Sequence, residues 1–164
     1  MNDLLASDHR DLDRLLARLW ESFNSGNAAK VFGQLDHFWA RLAMHIRAEN
    51  LHLFPALRAV FDQKDERKLI IERLRRDHNF FMTELSSAMK QLRLLATNKW
   101  ADETVVLENV QGRLLNLSLR LKEHDGLEEE EVYLWAEMEI SPEEIFVLKM
   151  EVKKELNSLP PRFL

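Results

Sequence analysis

Apolar residues recur at alternating steps of three and four along four long stretches of the chain. This spacing keeps one face of a helix in a core, so it predicts four long amphipathic helices. Their predicted bounds are residues 3–23, 28–61, 65–96 and 102–138. Polar turn residues separate them, and because these connections are short, neighbouring helices should run antiparallel. The pattern predicts an all-α fold, an up-down-up-down four-helix bundle.

A fifth helix is predicted after these four. Ser141, Pro142 and Glu144 have the spacing of an N-cap, a first-turn proline and a capping-box glutamate. We assign residues 1–140 to the bundle and residues 141–164 to a C-terminal helix and tail packed on the same domain. This helix should cover one flank of the bundle or form a homodimer contact. Within the second predicted helix, Pro55 should kink or end it.

Polar residues occupy positions in the apolar seams where a plain bundle would have Leu or Ile. They are His9, His45, Glu49, His52, His78, His124, Glu128 and Glu131. Burying an imidazole or a carboxylate without a partner costs several kcal/mol, and a shared cation would offset that cost on all four helices together. Counting residues from each turn at ~1.5 Å per residue places the four histidines His9, His45, His78 and His124 near one cross-section of the bundle.

Two His-Glu pairs share one spacing. Glu49 follows His45 by four residues, Glu128 follows His124 by four, and such pairs project from one helix face. Each pair is preceded by an Asp-His dipeptide, at His9 and at His78, so the chain repeats the pattern DH…HxxxE. Two such sets suit two metal ions rather than one. Imidazole and carboxylate without thiolate favour iron over manganese, and both over zinc, which normally takes fewer ligands.

This constellation resembles the hemerythrin-like HHE cation-binding family, whose motif is H…HxxxE…H…HxxxE on an up-down four-helix bundle. The segment 45–55, HIRAENLHLFP, is similar to the family's HxxxE…LFP stretch. The resemblance implies two iron ions with an oxo or hydroxo bridge. The implied metal ligands are His9, His45, Glu49, His78, His124 and Glu128. Oxygen-carrying hemerythrins use a fifth histidine where this chain has Met82, so its ligand set is closer to hemerythrin-like domains implicated in iron sensing, nitric oxide or oxidant response, and iron-centre repair.

Two further seam residues, His52 and Glu131, each lie seven residues after a candidate ligand histidine. We hypothesise that they pair near one end of the site, where they orient the ligand carboxylates or gate access to the metals. An additional ligand role, or solvent exposure beyond Pro55, are the alternatives. In the same acidic run, helix geometry predicts that Glu129 and Glu130 point outward.

Apolar seam residues near the candidate ligands are ordinary core at this spacing, and they could also form a dry pocket around an open metal position. They are Leu12, Phe38, Leu42, Phe81, Met82 and Leu121. The basic residues Arg73, Arg75 and Arg76 are interpreted as a solvated helix face rather than an anion site.

Composition narrows the function classes. The 164-residue chain has a formal net charge of −5, the wrong sign for a protein that owes its affinity to nucleic-acid phosphates. It has no Cys, which excludes disulfides, thiolate nucleophiles and iron–sulfur clusters. No apolar run approaches the ~18 residues of a membrane span. The N-terminus lacks the pattern of a secretory signal, so a cytoplasmic location is expected.

Three functions are compatible with these patterns. The first is a non-haem di-iron protein that binds oxygen, nitric oxide or peroxide for sensing, storage or detoxification. The second is an iron-handling or iron-sensing protein whose stability depends on metal occupancy. The third is a metal-free helical interaction module that uses the fifth helix. The sequence shows neither a catalytic triad nor a phosphate-binding loop that would indicate a conventional enzyme. Oxidase or peroxidase activity at the metals stays an alternative.

Overall fold

The computed structural model describes residues 1–98 and 100–163, and over these residues the chain is all-helical, without strands. Two five-residue π-helical turns, π1 at Glu49–Leu53 and π2 at Glu128–Val132, each continue one α-helix into the next. The α-helices are α1 Asn2–Phe23, α2 Ala28–Ala48, α3 Phe54–Val60, α4 Arg67–Thr97, α5 Glu103–Leu127, α6 Tyr133–Glu139 and α7 Pro142–Leu156. Because α2 continues into α3 and α5 into α6, the described residues form five long helical segments. Their ends agree with the predicted bounds to within two residues.

Side-chain caps explain where several helices begin. The Asn27 side chain accepts a hydrogen bond from the Lys30 N–H before α2, and Asp102 accepts from two N–H groups before α5. The predicted fifth helix is confirmed as α7, where the Ser141 hydroxyl accepts from the Glu144 N–H. Between α1 and α2, Gly26 has a φ of 60°, a left-handed conformation that glycine adopts without steric cost.

The two π turns change the face that each helix presents afterwards. In π1 the Phe54 N–H donates to the Glu49 carbonyl, and in π2 the Tyr133 N–H donates to the Glu128 carbonyl. These i to i+5 bonds accommodate one more residue per turn than an α-helix does. Pro55, predicted to kink or end the second helix, lies directly after π1, and the chain stays helical to Val60.

Two hydrophobic clusters fill the interior. One joins the start of α1 to α3, α6 and α7, and the other joins α1, α2, α4 and α5. Helix α1 packs on α2, α2 on α4, α4 on α5, and α5 on α1, while α7 packs on α2 and π1. Buried polar residues lie where the clusters meet; His9, for example, falls between Leu5 of the first cluster and Leu12 of the second. Among the described residues, no helix is long and apolar enough to cross a membrane.

Candidate metal centre

Six charged or ionisable side chains meet in the interior of the molecule, and all six are buried. They are His9, His45, Glu49, His78, His124 and Glu128, the six residues that the family resemblance implies as ligands. Helices α1, α2, α4 and α5 supply the histidines, and the first residue of each π turn supplies a glutamate. The structure therefore brings together one potential ligand atom from each of six places in the chain.

The six side chains form two overlapping groups. One contains His9 and His45, the other contains His78 and His124, and both contain Glu49 and Glu128. Within each group, one nitrogen or oxygen atom per residue lies within 4.8 Å of the others. Two carboxylates common to two sets of histidines is the arrangement that two neighbouring cations require if carboxylates bridge them.

The histidines meet through their Nε2 atoms. The Nε2 atoms of His9 and His45 lie 3.0 Å apart, and those of His78 and His124 also lie 3.0 Å apart. Two neutral nitrogens at this distance with both lone pairs facing would repel each other. A proton or a cation must therefore lie between or beside them.

Aspartate side chains fix two of these imidazoles from the opposite side of the ring. The His45 Nδ1 lies 2.9 Å from the Asp8 Oδ2, and the His124 Nδ1 lies 3.4 Å from the Asp77 Oδ2. When Nδ1–H donates to a carboxylate, Nε2 is left with a lone pair directed into the site, and the carboxylate increases the basicity of the ring. Asp8 and Asp77 thus act by orienting their histidines.

Different acceptors orient the other two imidazoles. The His9 Nδ1 lies 2.8 Å from the Glu129 Oε1, whereas the His78 Nδ1 lies 3.2 Å from the Asn50 Oδ1. Glu129 and Asn50 each follow a ligand glutamate by one residue. All four ring Nδ1 atoms therefore face an oxygen acceptor, and all four Nε2 atoms face the interior.

One oxygen atom of each buried glutamate is suited to bind a cation. Oε2 of Glu49 and Oε1 of Glu128 are buried and have no hydrogen-bond partner among the described residues. They approach His78 Nε2 to 3.2 Å and His124 Nε2 to 3.0 Å, without hydrogen-bond geometry. A buried carboxylate oxygen without a donor is costly, and a metal ion would satisfy it. Imidazole nitrogens and carboxylate oxygens in this number suit iron or manganese.

In the absence of metal, protons on the histidines compensate the buried carboxylates, as the pKa shifts indicate. Burial disfavours the charged form of His124, but Glu128 and Asp77 outweigh it and raise its pKa to about 10. His45 behaves alike: burial is outweighed by Glu49 and Asp8, so its pKa lies well above the ordinary range. Burial raises the pKa of Glu49, but the facing imidazoles lower it well below its usual value. Metal ions must therefore displace protons from these histidines.

A family model confirms what this geometry indicates. The hemerythrin HHE cation-binding domain matches residues 1–136 of the 164-residue chain. The chain belongs to this family. All six buried ligand candidates fall inside the matched residues, whereas α7 lies outside them. No curated protein and no solved structure matches the chain.

The HHE domain also contains a tyrosine at the metal centre, which the sequence did not predict. Tyr133 is fully buried, and its hydroxyl donates to the Glu49 Oε1 at 2.7 Å. The Tyr133 hydroxyl oxygen also lies 3.1 Å from the His9 Nε2 and 3.3 Å from the Glu128 Oε2. Burial, followed by Glu128 and Glu49, raises the pKa of Tyr133 well above its ordinary value, so it remains a phenol that can donate one hydrogen bond.

The π turn explains why the sequence pattern did not predict Tyr133 at the site. Five residues along an α-helix turn a side chain about 140° away from Glu128, but a π turn returns the fifth residue to the same face. A second unpredicted carboxyl, Asp125, lies 3.7 Å from the His9 Nε2. Burial raises the pKa of Asp125 to about 6, with Glu128 adding to the rise and His9 opposing it.

The structure does not place His52 and Glu131 in the metal centre of the HHE domain. Glu131 is exposed, and His52 turns toward α7, where its Nε2 lies 3.9 Å from a carboxylate oxygen of Glu155. The hypothesis that they pair beside the ligands assumed a continuous α-helix, and the π turns rotate both residues away. For the same reason Glu129, predicted to point outward, reaches His9.

The predicted apolar pocket residues of the HHE domain lie together in the second hydrophobic cluster. Leu12, Phe38, Leu42, Phe81 and Leu121 are buried there, and Met82 packs against them. Phe81 contacts a ligand directly, edge-on to the His124 ring at 5.2 Å between centroids. Phe54, which was not predicted, stacks on His78 at 5.6 Å. The two rings give His78 and His124 an aromatic contact each, beside their polar partners Asn50 and Asp77.

Proposed function

We propose that this HHE domain holds two iron ions, with an oxo or hydroxo bridge between them, and binds oxygen, nitric oxide or peroxide. His9 and His45 would hold one ion, His78 and His124 the other, and Glu49 and Glu128 would serve both. The observation that carries the proposal is the pair of overlapping ligand groups with two carboxylates in common. The proposal includes the up-down-up-down four-helix bundle that the sequence predicts.

Iron is favoured by the chemistry of the donors. The groups contain four imidazoles and two carboxylates, and the chain has no thiolate to offer. With a bridging oxygen these would supply about ten of the twelve bonds of two octahedral ions, which would leave open positions for a small ligand. Iron held by these residues would supply redox-active metal positions that could exchange electrons with such a ligand.

The residues around the ligands determine how such a ligand would be held. Tyr133 presents a hydroxyl beside Glu49 and His9, and it could donate its one hydrogen bond to a negatively polarised atom of the bound ligand in place of Glu49. Phe54 and Phe81 pack against His78 and His124 in the other half, where they add apolar surface beside the candidate ligands. These features support sensing, storage or detoxification of a small ligand in preference to transport of a larger one.

Iron handling or sensing is the second candidate, and one observation favours it. Six buried ionisable groups depend on a cation or on protons for compensation, so metal occupancy should change the stability of the fold strongly. A partner could read that change at α7, whose outer side exposes Phe146, Val147 and Met150. A homodimer through the same helix would cover these side chains.

The test is the metal content of the full chain, expressed with iron and purified without a chelator, together with its absorption spectrum. We expect about two irons per chain and near-ultraviolet bands of an oxo-bridged pair. His78→Ala should lose at least one iron, because it removes a ligand of one group. His52→Ala is the matched control, since it removes a histidine outside both groups and should retain two irons. Folded protein that cannot be loaded with metal would overturn the proposal.

A further inference from the structure

Each half of the metal centre includes an arginine that holds the orienting aspartate. Arg41 lies four residues before His45 and donates to Asp8, and Arg120 lies four residues before His124 and donates to Asp77. The two arginines therefore occupy equivalent positions in the repeat. Their remaining hydrogen-bond donors, however, face different surroundings.

Arg41 has a second hydrogen-bond acceptor at the end of the C-terminal helix, α7. Its Nη1 donates to the backbone carbonyl oxygen of Leu156 at 2.8 Å, at the end of α7. The last carbonyls of a helix lack partners within the helix and carry partial negative charge, so they are good acceptors for a guanidinium group. With Asp8 on one side and Leu156 on the other, the Arg41 side chain is only 14% exposed.

Arg120 has no such second acceptor. Its Nε and Nη2 both donate to the Asp77 Oδ1, and its Nη1 has no hydrogen-bond partner in the part of the chain that the structure describes. The side chain is 44% exposed and stacks on Phe80, with 4.4 Å between the guanidinium carbon and the ring centroid. Where Arg41 contacts the end of α7, Arg120 faces an open surface cavity of about 460 Å³.

The cavity gathers positive charge in an acidic protein. Besides Arg120, it is lined by Arg73 and Arg76, neither of which forms an ion pair within residues 1–98 and 100–163. Its carboxylates are Asp77, which is bonded to Arg120, and the exposed Glu123. Three guanidinium groups thus face two carboxylates in a chain with a formal net charge of −5. Guanidinium groups bind oxyanions through paired N–H donors.

We propose that this cavity binds a small oxyanion, a phosphate or a carboxylate, which contacts Arg120 as the Leu156 carbonyl contacts Arg41. Arg73 and Arg76 supply the further donors that a free anion needs and a helix end does not. The sequence interpretation of these two arginines as a solvated helix face is thereby revised. The cavity borders the metal centre at His124, whose ring is oriented by Asp77, but the anion-binding donors are the three arginines, none of which is a candidate metal ligand.

Titration calorimetry of the full chain as purified, with inorganic phosphate and separately with acetate at low ionic strength, tests the proposal. We expect saturable binding of one anion per chain for at least one of the two probes. Arg73→Ala and Arg76→Ala should each weaken that binding at least about fivefold, because each removes a charge-assisted contact. Arg75→Ala is the matched control, since Arg75 is exposed on the same helix but does not line the cavity.

The outcomes separate the cavity from other causes of binding. An unchanged affinity in Arg75→Ala, together with weakened binding in the two cavity variants, supports the site. Equal weakening by all three variants would show a non-specific effect of net charge and overturn it. Binding that is unchanged in Arg73→Ala and Arg76→Ala would place the anion elsewhere, at the metals for example, and would overturn the proposal. The absence of saturable binding of either probe would also overturn it.

Discussion

His9 and His78 occupy equivalent positions in the two repeats of the metal centre, but their neighbours differ. Around His9 lie the Tyr133 hydroxyl, the Glu129 carboxylate and the Asp125 carboxyl. At the positions equivalent to these three, the His78 half has Phe54, Asn50 and Ile46. The His9 half therefore has a phenol and two carboxyl groups at these positions, whereas the His78 half has a phenyl ring, an amide and an alkyl group.

The difference teaches that the ligands and the reactivity of the site are specified separately. Two ions that share two bridges need similar ligands, so the DH…HxxxE repeat is nearly symmetric. The residues one and five positions after each glutamate are free to differ, and they decide which half can donate a proton or stabilise negative charge. We expect a small ligand to bind on the His9 side.

The largest expected effect comes from removing the metals, which both halves need. A chelator should lower the melting temperature of the iron-loaded protein by on the order of 10 °C, since loss of a ligand present at ~1,000 times its Kd removes ~4 kcal/mol of stability. Differential scanning calorimetry measures this, with addition of iron as the control for reversibility. An unchanged melting temperature would mean that the buried carboxylates are compensated without metal.

The pH dependence should follow from the raised histidine pKa values. In metal-free protein, protonation of His45 and His124 contributes stability below the ordinary histidine pKa of 6.5. That contribution is lost as pH rises toward about 10, the folded-state pKa of His124. Metal binding releases the same protons, so it strengthens over this interval. The difference in melting temperature between loaded and metal-free protein should widen from pH 6 to pH 9; a constant difference would contradict this.

Glu129→Gln should make the two halves more alike. Replacing the carboxylate by an amide lowers the basicity of His9, and the loss of such an outer partner weakens metal affinity by about tenfold. A stepwise metal titration should show one affinity falling while the other stays constant. Asn50→Asp is the converse variant and should strengthen binding at the His78 side. Equal changes at both positions would argue against separate halves.

The smallest expected effect is on the bound small ligand. Tyr133→Phe removes one hydrogen-bond donor worth about 1 kcal/mol, so nitric oxide affinity of the iron-loaded protein should fall about fivefold. Phe54→Leu changes the equivalent aromatic residue in the other half and should leave that affinity nearly constant. If Phe54→Leu had the larger effect, the ligand would bind on the His78 side.

The convergence of the six candidate ligands could be predicted because they follow simple helix geometry. His45 and Glu49 are four residues apart, and His9 and His78 lie at matching heights, which residue counting shows. Tyr133, Glu129 and Asn50 could not be found in this way, because each lies in or just after a π turn. The same turns direct His52 toward α7 and leave Glu131 exposed, which a continuous α-helix would not predict.

Other features depend on tertiary contacts that no local pattern contains. The sequence left open whether α7 covers the bundle or forms a dimer contact. Its packing on α2 depends on the fit of Leu148, Val152 and Leu156 into the first hydrophobic cluster. The cavity beside Arg120 likewise forms between α4 and α5, whose lining residues are brought together only by the packing of these two helices.

The bond between Arg41 and Leu156 has a consequence for communication through the molecule. From the end of α7, a line of hydrogen bonds runs through Arg41 to Asp8 and from Asp8 to His45. Helix α7 lies outside the part of the chain that defines the family and turns Phe146 and Met150 to the outside. The orientation of His45 therefore depends on the end of a helix whose other side exposes Phe146 and Met150 to solvent.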